Sequence, residues 1–208
     1  MPLAERIELA ENAFIAAWEL NETPEELESV YRLKEGESEI YSSFTHPWRK
    51  SQWLATRLLL EQILPGSKII YDANGKPWSD REGHFISITH SAAYIAIMVS
   101  FTPCGIDLEQ IREKIDRIAP RFLDEKELEA ARLEPAVERM HIYWCVKEAI
   151  YKVYGRKEVS FRTDIFVDKV TSVPEGKTTA SLRVDGEWKK QTVYYRPFRE
   201  CMMAWVKS

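Results

Sequence analysis

Alternation and helical spacing of apolar positions divide the chain into strand and helix territories. From residue 12 to 20, Phe14, Ala16, Trp18 and Leu20 share one side of a two-residue period, which predicts a strand. Thr23-Pro24-Glu25-Glu26 supplies an N-cap, a proline in the first turn and acidic residues beside it, predicting a short helix to about Tyr31. His46-Pro47 opens a longer helix, in which Leu54, Leu58 and Ile63 or Leu64 face a core before Pro65-Gly66 stops it. Strands are predicted over 68–71, 84–89 and 94–101, with a turn at Asn74-Gly75, and 106–109 reads as a strand end. A helical pattern fills 110–154, with Asp124 capping 125–132. Asp185-Gly186 between 178–184 and 187–195 is a hairpin signal, and 202–206 reads as a last strand.

The order of strand, helices and strands begins again near residue 105, and Trp53 and Trp144 hold equivalent places in the two long helices. That echo predicts an α+β protein built from two similar α/β subdomains. At 208 residues, 45% apolar and 30% charged, with 8 Gly and 10 Pro, the chain is expected to fold as a globular protein. A chain of this length buries roughly 70% of its unfolded surface and needs no disulfide or metal staple. The net charge of −4 leaves no electrostatic footprint for a nucleic-acid backbone. The longest apolar run, 92–99, is far short of the roughly 20 residues of a membrane-spanning helix. Three dispersed cysteines and four scattered histidines form neither a disulfide framework nor a zinc spacing, which predicts buried free thiols in a reducing compartment. Met1-Pro2-Leu3-Ala4-Glu5-Arg6 lacks a basic segment followed by an apolar one, so a cytoplasmic location is expected.

Three segments carry candidate chemistry. In an extended Asp107-Leu108-Glu109 both carboxylates point to one face, where they repel unless solvated, protonated or bridged by a cation. All-oxygen ligands favour Mg²⁺ or Ca²⁺ over zinc. In Trp144-Cys145-Val146-Lys147-Glu148-Ala149-Ile150-Tyr151-Lys152, an apolar stripe of Ile142, Val146, Ala149, Ile150 and Val153 leaves Trp144, Glu148 and Lys152 on another face. Glu148 and Lys152 then form either a surface pair one turn apart or part of a site. Ser87-Ile88-Thr89-His90-Ser91 offers hydroxyls and an imidazole at a strand end, as an anion site or a polar turn, without the glycine pattern of a nucleophile elbow.

Taken together, Gly105-Ile106-Asp107-Leu108-Glu109 and the Trp144 to Lys152 segment resemble the two signatures of the 4′-phosphopantetheinyl transferases. Asn74-Gly75-Lys76-Pro77 and Ser87-Ile88-Thr89-His90-Ser91 are similar to two further motifs of the longer, Sfp-type branch. The four motifs stand in the family's order between about residues 45 and 155, and the region after Phe161 carries none.

The resemblance implies a monomer of two similar halves related by pseudo-twofold symmetry, 1–104 on the nucleotide side and 105–208 on the metal side. It implies transfer of phosphopantetheine from coenzyme A to a serine of an acyl or peptidyl carrier protein, leaving adenosine 3′,5′-bisphosphate. By residue matching, Asp107, Glu109 and Glu148 hold Mg²⁺ and Lys152 lies near the diphosphate. Glu148, or a water held beside it, is the base for the serine. His90 lies near the 3′-phosphate, with Thr89 and Ser91 as hydroxyl donors, Arg49 and Arg57 as phosphate-binding arginines, and Lys76-Pro77 lining the adenine. Trp144 is expected to pack behind its helix, and Arg112, Lys114, Arg117 and Arg121 to form a basic docking patch. The readings from other classes are a non-catalytic adaptor with a metal-stabilised acidic cleft and a Mg²⁺-dependent phosphohydrolase.

Overall fold

The computed structural model describes residues 3–9, 12–155 and 158–208; Met1 and Pro2 of the N-terminal stretch read above lie outside them. The first half runs β1 (Glu5–Leu9), β2 (Ala13–Glu19), α1 (Pro24–Val30), α2 (Glu37–Ser43), α3 (Pro47–Ile63), β3 (Ile69–Tyr71), β4 (Pro77–Ser79), β5 (Phe85–Ser91) and β6 (Tyr94–Ser100). The second runs β7 (Cys104–Gln110), a 3₁₀ turn (Glu113–Arg117), α4 (Ala119–Phe122), α5 (Glu125–Ala131), α6 (Ala136–Tyr154), β8 (Ile165–Val167), β9 (Gly176–Val184), β10 (Glu187–Phe198) and β11 (Cys201–Lys207). This is an α+β architecture of two antiparallel sheets, ordered β1-β2-β6-β5 and β7-β11-β10-β9-β8, each packed with helices. Both contain the same motif, in which the strand before the helices, β2 or β7, pairs with the last strand, and the last with the one before it, as β2-β6-β5 and β7-β11-β10. A long helix, α3 or α6, lies between in sequence and covers one face.

Strand alternation explains the layering. Ala16 and Trp18 on β2, with Ile95, Ile97 and Val99 on β6, meet Leu54, Leu59 and Leu60 of α3. The alternate residues Ala13, Ile15 and Ala17, with Tyr94, Ala96 and Met98, turn to a second core between the sheets. There they meet Cys104, Ile106 and Leu108 of β7 and Cys201 and Met203 of β11. All of β6 is therefore buried on both faces, which is why its sequence is an unbroken apolar run.

The halves join where β7 lies against the inner face of β5. The Oγ of Ser87 accepts the Ile106 N–H at 3.0 Å, the Oγ1 of Thr89 that of Leu108 at 3.2 Å, and the Oγ of Ser91 that of Gln110 at 2.8 Å. Side-chain hydroxyls thus satisfy the strand donors in place of a neighbouring backbone.

The expected continuous helical region 110–154 is instead a 3₁₀ turn and three helices. Pro120 falls in the first turn of α4 and Pro135 is the N-cap of α6, the positions where a missing N–H is tolerated. Asp124 caps α5 as expected, within a capping box closed by Glu127. The strands β1, β4 and β8 and the helix α2 were not legible in the pattern. β1 is a half-exposed edge strand of charged residues, and α2 buries only Tyr41.

Candidate functional site

The first site builds on the face of β7 opposite the inter-sheet core. Gly105, Asp107 and Glu109 lie on it two residues apart, facing α6. A Cβ at Gly105 would stand 2.0 Å from the Ala149 carbonyl oxygen, so only glycine lets α6 close onto the strand. That approach brings Lys152 to β7, where its ammonium donates to Asp107 Oδ1 and to the Ile106 carbonyl, each at 2.8 Å. Lys152 is therefore an inter-element partner of Asp107 and not half of a surface pair with Glu148.

Asp107 is 6% exposed, and its Oδ1 also accepts the Thr89 hydroxyl at 3.1 Å. Its Oδ2 is buried with no hydrogen-bond partner among the described residues. Burial, then the charge of Asp107, raises the pKa of Glu109 from its ordinary value. The same two causes push Glu148 up to about 7, with Glu109 adding repulsion and Lys152 opposing it. Three carboxylates thus repel one another around an orphaned oxygen. No group of three or more His, Cys, Asp or Glu side chains stands ready to hold a metal ion among the described residues. Asp107, Glu109 and Glu148 offer oxygen donors only, the chemistry that suits Mg²⁺, which keeps several waters and binds through few carboxylates together with substrate phosphates.

From Lys152 a cleft runs along the junction of the halves. A cavity of about 250 Å³ is bounded by Asn74, Gly75, Lys76, Pro77, Ile88 and Lys152 among others. It meets a second of about 190 Å³ at Pro77 and Ile88, whose walls include Arg49, Gln52, Thr56, Tyr71 and His90. The His90 ring reaches solvent through the cleft mouth. The protein around it, followed by the positive charges of Lys152 and Arg49, nonetheless pushes its pKa down to about 4. Its Nε2 lies 3.4 Å from Thr56 Oγ1. Arg49 is exposed beside it, its guanidinium lightly tethered to Gln52 Oε1 at 3.1 Å.

Three expected ligand residues have partners within the protein. Arg57 lines the second cavity, but it is buried, ion-paired to Glu37 at 2.7 Å and stacked 3.3 Å over the Trp53 ring. Thr89 and Ser91 face β7 and take its N–H groups, on the opposite side of β5 from His90. Lys76 and Pro77 do line the cleft, but the Lys76 ammonium reaches across it to the Val153 carbonyl at the end of α6. Gly155, in the left-handed region at φ +72°, caps α6 and leaves room for that side chain: a Cβ there would lie 2.4 Å from Lys76 Cδ.

Trp144 packs edge-on to Phe122 at 4.9 Å and against Phe161 at 5.8 Å. A small hollow of about 110 Å³ beside it is lined by Glu109, Arg112, Lys114, Ile115 and Ile118. The residue whose importance sequence reasoning missed is Lys147. It is fully buried, and its ammonium binds Glu127 at 2.6 Å and the carbonyls of Phe161 and Ile165. Its place inside an apolar stripe was the available signal, because a lysine there needs an internal anion.

The profile of the 4′-phosphopantetheinyl transferase superfamily matches residues 103–199. The 4′-phosphopantetheinyl transferase gsp of Aneurinibacillus migulanus is 32% identical over 123 residues, 56% of this chain and 52% of that protein. The 4′-phosphopantetheinyl transferase psf-1 of Bacillus pumilus is 32% identical over 126 residues, 57% of this chain and 52% of its own length. The aligned region thus spans about half the length of these curated relatives.

Proposed function

We propose that this chain, whose residues 103–199 match the profile of the 4′-phosphopantetheinyl transferase superfamily, transfers phosphopantetheine from coenzyme A to a serine of an apo carrier protein. One observation carries the reading. The cleft has Lys152 on its wall at one end and His90 and Arg49 at the other, and Lys152 ties that end to Asp107, beside which Glu109 and Glu148 lie, an arrangement suited to a long molecule with a diphosphate and a separate 3′-phosphate. The chain is read as two units, 1–104 carrying the nucleotide side and 105–208 the acids.

Asp107, Glu109 and Glu148 are the residues that would hold Mg²⁺, with the orphaned Oδ2 of Asp107 as the firmest ligand. When bound, Mg²⁺ neutralises charge on the diphosphate and on the leaving phosphate. Lys152 supplies a mobile ammonium to the same oxygens. Glu148, or a water held beside it, would take the proton of the attacking serine. The serine oxygen forms a new bond to the phosphopantetheine phosphorus as the phosphoanhydride breaks, and adenosine 3′,5′-bisphosphate departs. His90 and Arg49 hold the 3′-phosphate, while Pro77 and the backbone of Lys76 wall the adenine. Arg112, Lys114, Arg117 and Arg121, exposed beside the apolar Ile118, provide a basic and apolar surface for an acidic carrier.

No helix among the described residues is long and apolar enough to cross a membrane. From the family resemblance we read the protein as a cytoplasmic monomer. Calorimetry with coenzyme A tests the reading against the adaptor and the phosphohydrolase, neither of which needs pockets for adenine and a 3′-phosphate. Saturable binding that weakens when His90 is changed to Ala is expected. No binding of coenzyme A would overturn the proposal.

A further inference from the structure

Asp107 has one oxygen without a partner among the described residues because the other takes both of its donors. Its Oδ1 accepts two donors from two directions, Lys152 at 2.8 Å and Thr89 at 3.1 Å, which leaves Oδ2 buried and unpartnered. The two donors are not equivalent. Lys152 sits at the end of a flexible four-carbon stem and lines the cavity, so a phosphate in the cleft competes for it. Thr89 is short and β-branched, stiff at its first side-chain torsion. Its Oγ1 is pinned a second time, because it accepts the Leu108 N–H at 3.2 Å. That bond is the middle rung of the three-hydroxyl seam formed with Ser87 and Ser91. Thr89 thus fixes the carboxylate from the first half of the chain whether or not Lys152 stays.

We propose that Thr89 is a positioning residue for the cation: its hydroxyl, locked into the seam between the halves, orients Asp107 so that Oδ2 faces the bound metal. The assignment rests on the reading of Asp107 as a metal ligand. It gives Thr89 a part in the reaction without contact with coenzyme A. Valine at this position keeps the shape but strips Asp107 of its fixed donor and Leu108 of its acceptor.

The experiment measures Mn²⁺ binding to the full chain by electron paramagnetic resonance, without coenzyme A or carrier, alongside thermal unfolding. Thr89→Val is expected to weaken Mn²⁺ binding by about tenfold or more, the usual effect of removing a group that orients a metal ligand. Thr89→Ser, which keeps the hydroxyl, stays within about threefold of the parent protein on the same reasoning. Ser87→Ala removes a neighbouring rung and no bond to Asp107, so it lowers the melting temperature without changing Mn²⁺ affinity. If the valine variant does not fold, Thr89→Cys, similar in size but a poor donor, takes its place with the same expected loss. Parent-like Mn²⁺ affinity in Thr89→Val, or an equal loss in Ser87→Ala, would overturn the positioning role. Absence of Mn²⁺ binding by the parent protein would instead remove Asp107 as a ligand, and Thr89's role with it.

Discussion

At the scale of single residues, charge placement decides what the site does. Glu148 gathers burial and two neighbouring carboxylates, and its pKa rises from 4.5 to about 7 in the folded protein. A carboxyl raised on folding favours the proton-bound native state, so its contribution to stability is full below pH 4.5 and is lost as pH rises through 7. Glu148→Gln removes this penalty. In chelator, its melting temperature should exceed the parent's at pH 8, and the difference should vanish toward pH 4.5, as thermal unfolding across that range will report. The same variant loses proton acceptance and should be inactive. Lys152→Ala should behave differently. Turnover falls because the diphosphate loses its ammonium, yet Mn²⁺ binding persists because no carboxylate is removed. Loss of Mn²⁺ binding in Lys152→Ala would move Lys152 from the substrate to the metal shell.

At the scale of elements, close approach is what assembles the site. Gly105 admits the Ala149 carbonyl, and Gly105→Ala forces β7 and α6 apart. A loss of about 1–3 kcal/mol is expected from such overpacking, measurable by urea unfolding, together with impaired transfer. Behind α6, Lys147 and Glu127 form a fully buried pair that also satisfies the backbone of Asp124, Phe161, Ile165 and Val167. Lys147→Met leaves Glu127 charged and unpaired, at a cost of about 3–5 kcal/mol, and adding Glu127→Gln should recover part of it in the same unfolding experiment.

These element contacts also mark how far the sequence could be read. The two-residue spacing of Asp107 and Glu109 announced a shared face, and the two-faced pattern of α6 announced a second contact for Glu148 and Lys152. Neither spacing names the partner across the gap, so Lys152 to Asp107 became visible only with β7 and α6 in place. Ser87, Thr89 and Ser91 read as a polar strand end because hydroxyls carry no mark of whether they face a ligand or a backbone. The internal partner of Arg57 stayed hidden because Glu37 lies in a helix too short and polar to announce itself.

At the scale of the molecule, the cleft belongs to neither half alone. His90 and Arg49 come from the first sheet and α3, and the acids and Lys152 from β7 and α6. Reading the 3′-phosphate should therefore depend on the first half and leave cation binding untouched. Dephospho-coenzyme A is expected to bind roughly 10- to 150-fold more weakly than coenzyme A, the value of one charge-assisted hydrogen bond. Equal affinities by calorimetry would remove His90 and Arg49 from the ligand. The claim that joins all these parts is group transfer, and mass spectrometry of an apo carrier protein after incubation with this protein, coenzyme A and Mg²⁺ tests it most directly. The account predicts a carrier heavier by one phosphopantetheine group, with no gain when Asp107 is changed to Ala. Apo acyl and peptidyl carriers that both emerge at unchanged mass would contradict it.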